Sequence, residues 1–249
     1  MIILKSKEEI QLMREAGKIS AIALSAAGMA IEPGITTKEL AEIARKCIKS
    51  HGASPSFLEN NFPDVACISV NEEVIHFVPS DKRIIKEGDI VSIDVGANIY
   101  GFHGDNACTF PCGNISNKAR KLIDVTKKAL QKGIEAVTIN SRIGNIGYSI
   151  QNFVESAGLY VVKKYVGHGI GRSLHEAPSV PNFANKTDGE LIENGLVIAI
   201  EPMVNLGTSD VEQSSDGWGV FTKDRSLSAH FEHTVAVIDG GIEILTELL

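Results

Sequence analysis

The sequence predicts a mixed α/β (α+β) fold built from two pseudo-symmetric halves, on three observations. The order helix, helix, strands occurs twice along the chain. The segment from Ile84 to Gly96, IIKEGDIVSIDVG, matches Leu191 to Met203, LIENGLVIAIEPM, at an offset of 107 residues. Upstream, PGITTKELAEIARKCIKSHGA (33–53) resembles SRIGNIGYSIQNFVESAGL (141–159) at nearly the same offset.

The elements follow in order. Ser6 and Glu9 form a capping box that opens a helix to about Ala30, with Ile10, Met13, Ile19 and Leu24 on or near one face. Thr36 and Glu39 open a second, with Leu40, Ile43 and Cys47 as its apolar stripe and Gly52 as its stop. A turn at Glu87-Gly88 leads into a strand to Val95, and a return strand is expected near Asp105 to Phe110, with Asn98 and Gly101 at the hairpin tip. Ser116 caps a long helix to about Val137, and another follows from Ile146 to Ala157. GHGIG, a polar loop over 178–189, and strands over 197–204, 233–237 and 242–245 complete the chain, without a linker, so residues 1–249 read as one domain.

Composition narrows the function. The chain is 43% hydrophobic and 22% charged, which is ordinary for a folded globular protein and argues against a membrane partner. A net charge of -7 supplies no basic stripe for a phosphate backbone, so nucleic acid is an unfavoured partner. The opening segment has too few apolar residues for a signal h-region, which places the expected location in the cytoplasm. Cys47, Cys67, Cys108 and Cys112 lack zinc-ribbon spacing and read as free thiols.

The chemistry lies in the acids. Asp94 and Glu201 occupy equivalent repeat positions, each ending an almost wholly apolar run, and such buried carboxylates require protonation, a cationic partner or a metal. Asp105 lies across the expected hairpin from Asp94. His168 stands between two glycines, Pro202 biases Glu201 towards extended backbone, and Glu232 precedes another strand. Four carboxylates and one imidazole suit Mn(II), Fe(II), Co(II) or Zn(II), and two divalent ions balance four carboxylates better than one.

At these residues the sequence resembles the type I methionine aminopeptidases. The resemblance runs the length of the chain and rests on SVNEEVIH (69–76), IDVGANIYGFHGDNACTF (93–110), GHGIGRSLHEAP (167–178), IEPMV (200–204) and TKDRSLSAHFEHT (222–234). It implies a pita-bread fold, in which the two halves surround a central antiparallel sheet covered by helices. It also implies a metalloaminopeptidase that removes the initiator methionine of nascent proteins, through a dinuclear metal-bound hydroxide attacking the first peptide bond. Asp94 would chelate one ion, Asp105 and Glu232 would bridge both, and His168 and Glu201 would complete the other. Glu201 would shuttle the proton, His175 would bond the scissile carbonyl oxygen, and His76 would contact the substrate near the peptide nitrogen. Phe62, Cys67 and Trp218 match the family's methionine pocket. The implied enzyme is a monomer that touches the ribosome transiently.

Three positions depart from the family pattern: Phe77 after His76, Leu174 before His175, and His230 two residues before Glu232. They bear on the pocket, and His230 reads as a neighbour of the ligands. His103, between Gly101 and Gly104, reads as a loop residue; His233 should face away from Glu232, and His51 should serve a helix end. The competing readings are a proline-specific peptidase of the same fold and a non-catalytic binding member. The first usually carries a large extra N-terminal domain, and the second loses metal ligands that are all present here. The short stretch between Glu201 and Ser228 leaves no room for the helical insertion of type II enzymes.

Overall fold

The computed structural model describes residues 2–247. Its first half begins with α1 (Lys7–Met29) and α2 (Thr37–Ser50), each opened by a complete capping box, at Ser6/Glu9 and Thr36/Glu39. β1 (Ser54–Pro55), the single turn α3 (Ser56–Glu59), β2 (Ala66–Val70) and β3 (Glu73–Ile75) lead to a long hairpin of β4 (Ile90–Ile99) and β5 (Phe102–Pro111). The second half begins with α4 (Asn117–Glu135) and α5 (Ile143–Ser156). β6 (Tyr160–Val161), β7 (Gly167–Gly169), β8 (Glu176–Val180), β9 (Val197–Ile200) and β10 (Met203–Asn205) follow. β11 (Val211–Gln213), β12 (Val220–Thr222), β13 (Ser228–His230), β14 (Glu232–Ile238) and β15 (Gly241–Ile244) complete the described chain.

The main sheet has nine antiparallel strands in the order β1-β4-β5-β14-β9-β7-β8, with β2 added to β4 and β15 to β14. Its middle reads the same from either side: β2-β4-β5 faces β14-β9-β7. Isolated bridges Thr36–Ile84 and Arg142–Leu191 repeat the relation, at positions separated by the offset seen in the sequence. Each half fills its own core. Val91, Ile93 and Val95 of β4 pack with Leu40, Ala44 and Ile48 of α2, whereas Ile198 and Ile200 of β9 pack with Leu122 of α4 and Ile146 of α5. A fully buried isoleucine contributes about 2 kcal/mol, so strands covered by helices become near-continuous apolar runs. A polar residue within such a run must then be placed for another reason. Among the described residues, no helix is long and apolar enough to cross a membrane.

Five local expectations change. The strand expected over 197–204 is two strands in different sheets, because Pro202 has no N–H for the ladder and β10 turns away to pair with β6 and β13. The hairpin tip is Tyr100-Gly101, both at positive φ, which matches the twist of a two-residue turn. Asn98 is therefore in the strand, paired with His103. His103 is a buried strand residue rather than a loop residue, since Gly104 is needed for close contact with Gly17 of α1 and does not end the strand. On α2 the buried face is Leu40, Ala41, Ala44 and Ile48, while Ile43 and Cys47 are half-buried; α5 begins at Ile143, one turn earlier than expected.

Candidate metal centre

Strand register gathers the five predicted ligands. Ala107 of β5 lies opposite Asp94 of β4 on one side and Glu232 of β14 on the other, so both carboxylates emerge on the same face. Asp105, two residues from Ala107, shares that face by alternation. On the next strand, Ile200 pairs with His233, so one further step brings Glu201 opposite Glu232. His168 of β7 pairs with Ala199, two residues before Glu201, and its Nε2 lies 3.6 Å from Glu201 Oε1 and 3.9 Å from Asp105 Oδ2. Asp105, His168 and Glu232 each present a ligand atom within 4.8 Å of the others. Cys67 belongs to the same row, opposite Asp94 on β2.

The backbone under this face is held firmly. Asp105 N–H donates to Thr234 Oγ1 at 3.0 Å, and that hydroxyl donates back to the Asp105 carbonyl at 2.8 Å. Thr109 Oγ1 likewise accepts from His230 N–H at 2.8 Å and donates to the His230 carbonyl at 2.9 Å. These pairs stitch β5 to the chain around β14 along the line where the two halves meet. Asn182 donates its amide to the Glu201 carbonyl at 3.1 Å, which steadies the break at Pro202.

The electrostatics are those of a cation site. Burial, reinforced by the neighbouring carboxylates, pushes Asp94, Glu201 and Glu232 well above the ordinary carboxylate range, and burial raises Asp105 to about 7. No lysine or arginine forms an ion pair with any of the four among the described residues; the basic side chains nearest them are the imidazoles of His168 and His230, which burial holds neutral. Asp94 Oδ1, Asp105 Oδ1 and Glu232 Oε1 are buried without a hydrogen-bond partner. Orphaned carboxylate oxygens are costly, and several converging on one point fit divalent cations better than they fit protons. Burial, with His175 next, holds His168 near 3, so its Nε2 lone pair is free for a metal.

A cavity of about 140 Å³ adjoins the carboxylates and is lined by Phe57, Phe62, Cys67, Leu174, Trp218 and the histidines His76 and His175, among others. Phe62 and Trp218 meet edge to face at 5.2 Å. Trp218 is presented by a turn in which Asp216 Oδ1 accepts from the N–H groups of Trp218 and Gly219. His76 sits at positive φ, and burial, followed by the nearby His175, pushes it down to about 4. The ring of His175 lies 4.4 Å from that of His168. Phe77 turns away from the cavity and packs on Phe221 and Gly219, so the bulky residue after His76 leaves the pocket open. Leu174 does line it.

All ten predicted site residues therefore converge on one cavity and the sheet face beside it. The remaining histidines divide. His230 is buried with Nε2 unpartnered, 3.7 Å from Glu201 Oε2, so Glu201 stands between two imidazoles. His233 faces the other side of the sheet and bonds Thr246, and His51 caps α2 through the Cys47 carbonyl. Sequence reasoning missed Asn60, Asn182, Thr109 and Thr234. Asn60 ends α3 and lines the cavity, and the two threonines act through a register that no local pattern shows.

The chain matches metallopeptidase family M24 over residues 11–239. A methionine aminopeptidase of Clostridium acetobutylicum is 49% identical over 247 residues, covering 99% of each chain. The crystal structure of a methionine aminopeptidase from Thermotoga maritima superposes with a TM-score of 0.98 at 40% identity, covering 100% of both chains. A prolidase from Pyrococcus furiosus shares the fold, with a TM-score of 0.80 at 24% identity, but this chain covers only 66% of it.

Proposed function

Because the chain belongs to metallopeptidase family M24, we propose that its sheet-face cluster and adjoining cavity are the active site of a methionine aminopeptidase, which removes methionine from the N-terminus of proteins and peptides. The observation that carries this reading is the row of carboxylates contributed by both halves, three of them with orphaned oxygens, directly beside a cavity lined by aromatic rings and a thiol.

Asp94, Asp105, His168, Glu201 and Glu232 would hold two divalent ions, from among Co, Mn, Fe and Zn. When bound, the ions lower the pKa of water and polarise a carbonyl group. The protein's own groups do the rest. Glu201, between His168 and His230, is placed to take a proton and return it to the leaving amine. His175, at the cavity wall, is placed to donate to the carbonyl oxygen as negative charge builds there. His76 is neutral through the physiological range and is suited to contact the peptide nitrogen. Asp94 and the ion it would hold would receive the substrate's free α-amino group, which would confine cleavage to the first residue. Phe62, Cys67 and Trp218 offer soft, polarisable contacts to a thioether, and burial keeps Cys67 a neutral thiol.

The same reading makes residues 1–249 one catalytic domain, acting as a monomer in the cytoplasm on nascent chains with transient ribosome contact. The unbroken spread of homology supports the single domain. The test is hydrolysis of Met-Ala-Ser and an X-Pro peptide by chelator-stripped protein supplied with Mn, Fe, Co or Zn. Release of methionine from the first peptide alone is expected. Cleavage of the X-Pro peptide, or of neither peptide with any metal, would overturn the reading.

A further inference from the structure

The mechanism above needs His175 to donate a hydrogen bond into the cavity, and a neutral imidazole has only one N–H to give. Which nitrogen carries it is settled by the partner of the other. That partner is Asn60. Its side-chain amide Nδ2 lies 3.0 Å from His175 Nδ1. With the amide nitrogen placed towards the ring, Asn60 donates and Nδ1 accepts, which is the Nε2–H tautomer. We propose that Asn60 is a positioning residue that fixes His175 as the Nε2–H tautomer, leaving Nε2–H as the donor for the carbonyl oxygen. This deepens the reading of the site as an aminopeptidase and rests on it.

Asn60 and His175 are 115 residues apart in sequence, and the fold brings them together through a small pinned turn. Asn60 caps the C-terminal end of α3, with its N–H donating to the Phe57 carbonyl at 3.1 Å, and Asn61 then takes positive φ. Phe62 N–H returns to the same Phe57 carbonyl at 2.9 Å, which sends the Phe62 ring into the cavity. The turn is fixed from outside by Glu59, whose carboxylate accepts from Asn98 Nδ2 at 2.6 Å and from the Ser54 hydroxyl. One turn thus presents both a pocket wall and the partner of His175. The other side of His175 is held by Glu176, which forms a buried ion pair with Lys5 at 2.5 Å and accepts from Ser173 N–H at 3.1 Å. The chain beside the ring is thus anchored at Glu176.

Asn60 is exposed on the turn, so its replacement spares the core. The experiment is ¹⁵N NMR of the histidine side chains in zinc-loaded protein at pH 8, with His175 assigned from a His175→Gln sample, together with kcat and KM on Met-Ala-Ser. The wild type is expected to show a pyrrole-like Nε2 and a pyridine-like Nδ1. In Asn60→Ala the His175 shifts should move towards the average of two tautomers, with kcat down about tenfold and KM changed little. In Asn60→Asp, whose carboxylate can only accept, Nδ1 should become protonated. A protonated Nδ1 in the wild type would overturn the proposal, as would His175 shifts that stay unchanged in both variants. If the wild type releases no methionine, the functional reading fails while the tautomer result still stands on its own.

Discussion

The β4–β5 hairpin and the β9–β14 pair are equivalent structures, but they differ in continuity. β4 and β5 run ten residues each and are joined by a two-residue turn. β9 stops after four residues at Glu201-Pro202, and the chain then leaves the sheet through β10, β11, β12 and β13 before returning as β14. The excursion carries Trp218 to the cavity and His230 to Glu201. The symmetric part supplies one carboxylate from each of four central strands or strand ends. The asymmetric part adds Trp218 to a pocket otherwise walled by Phe57, Phe62 and Cys67 of the first half and Leu174 of the second. On the proposed function, duplication would account for the carboxylates that hold the ions, and the excursion would complete the pocket for the substrate's side chain.

Breaking the symmetric part should cost most. Asp105→Asn and Glu232→Gln each remove charge from the seam between the halves, and kcat/KM should fall by about a thousandfold or more. Steady-state kinetics with a saturating metal checks this; a loss below about tenfold would separate the seam from the chemistry. Asp94→Asn and Glu201→Gln then compare the equivalent positions directly. Both should weaken metal binding, but Glu201→Gln should also depress kcat at saturating metal by about a hundredfold or more, because the proposed function gives the proton transfer to Glu201 alone. Equal losses at saturating metal would show that Glu201 is only a ligand.

The asymmetric part should respond more mildly and in KM. Trp218→Ala is expected to raise KM for a methionyl peptide about tenfold while leaving kcat within about threefold, since the ring contacts the side chain and not the reacting bond. A large fall in kcat with constant KM would place Trp218 in the chemistry instead.

The smallest effect is on stability. Without metal, the raised carboxylates bind protons in the folded protein that the unfolded chain releases, so their contribution is complete below about pH 4 and is lost as pH rises through about 7 for Asp105. His76, pushed down to about 4, acts oppositely: its contribution is present above about pH 6.5 and is lost as pH falls through 4. Between pH 8 and 7 the imidazoles are neutral in the folded protein and mostly neutral in the unfolded chain, so the carboxylates dominate. Metal-stripped protein should therefore gain a few degrees in Tm from pH 8 to 7, and metal-loaded protein should not. Calorimetry of both forms checks this, and parallel pH dependence would contradict it.

Much of this was legible in the sequence because duplication writes itself twice. The 107-residue offset showed that Asp94 and Glu201 are one position seen in two halves, and capping boxes marked both helices of the first half. The stretches around His76, Asp105, His168, His175 and Glu232 carried those residues through resemblance, and Phe62, Cys67 and Trp218 followed by position. What stayed hidden depended on contacts between distant strands. Thr234 bonds Asp105 across 129 residues, and His103 reads as a loop residue because its flanking glycines serve the hairpin turn at Gly101 and the approach of α1 at Gly104. Asn60 carries no local mark at all, since its partner lies in the other half.

On the proposed function, each half of the sheet contributes a carboxylate to a shared two-ion centre. Calorimetric titration of chelator-stripped protein with Mn(II) tests it most directly, with wild type, Asp94→Asn and Glu201→Gln run side by side. Two bound ions in the wild type and the weakening of one ion in each variant are predicted. A single ion in the wild type, or unchanged binding in either variant, would contradict it.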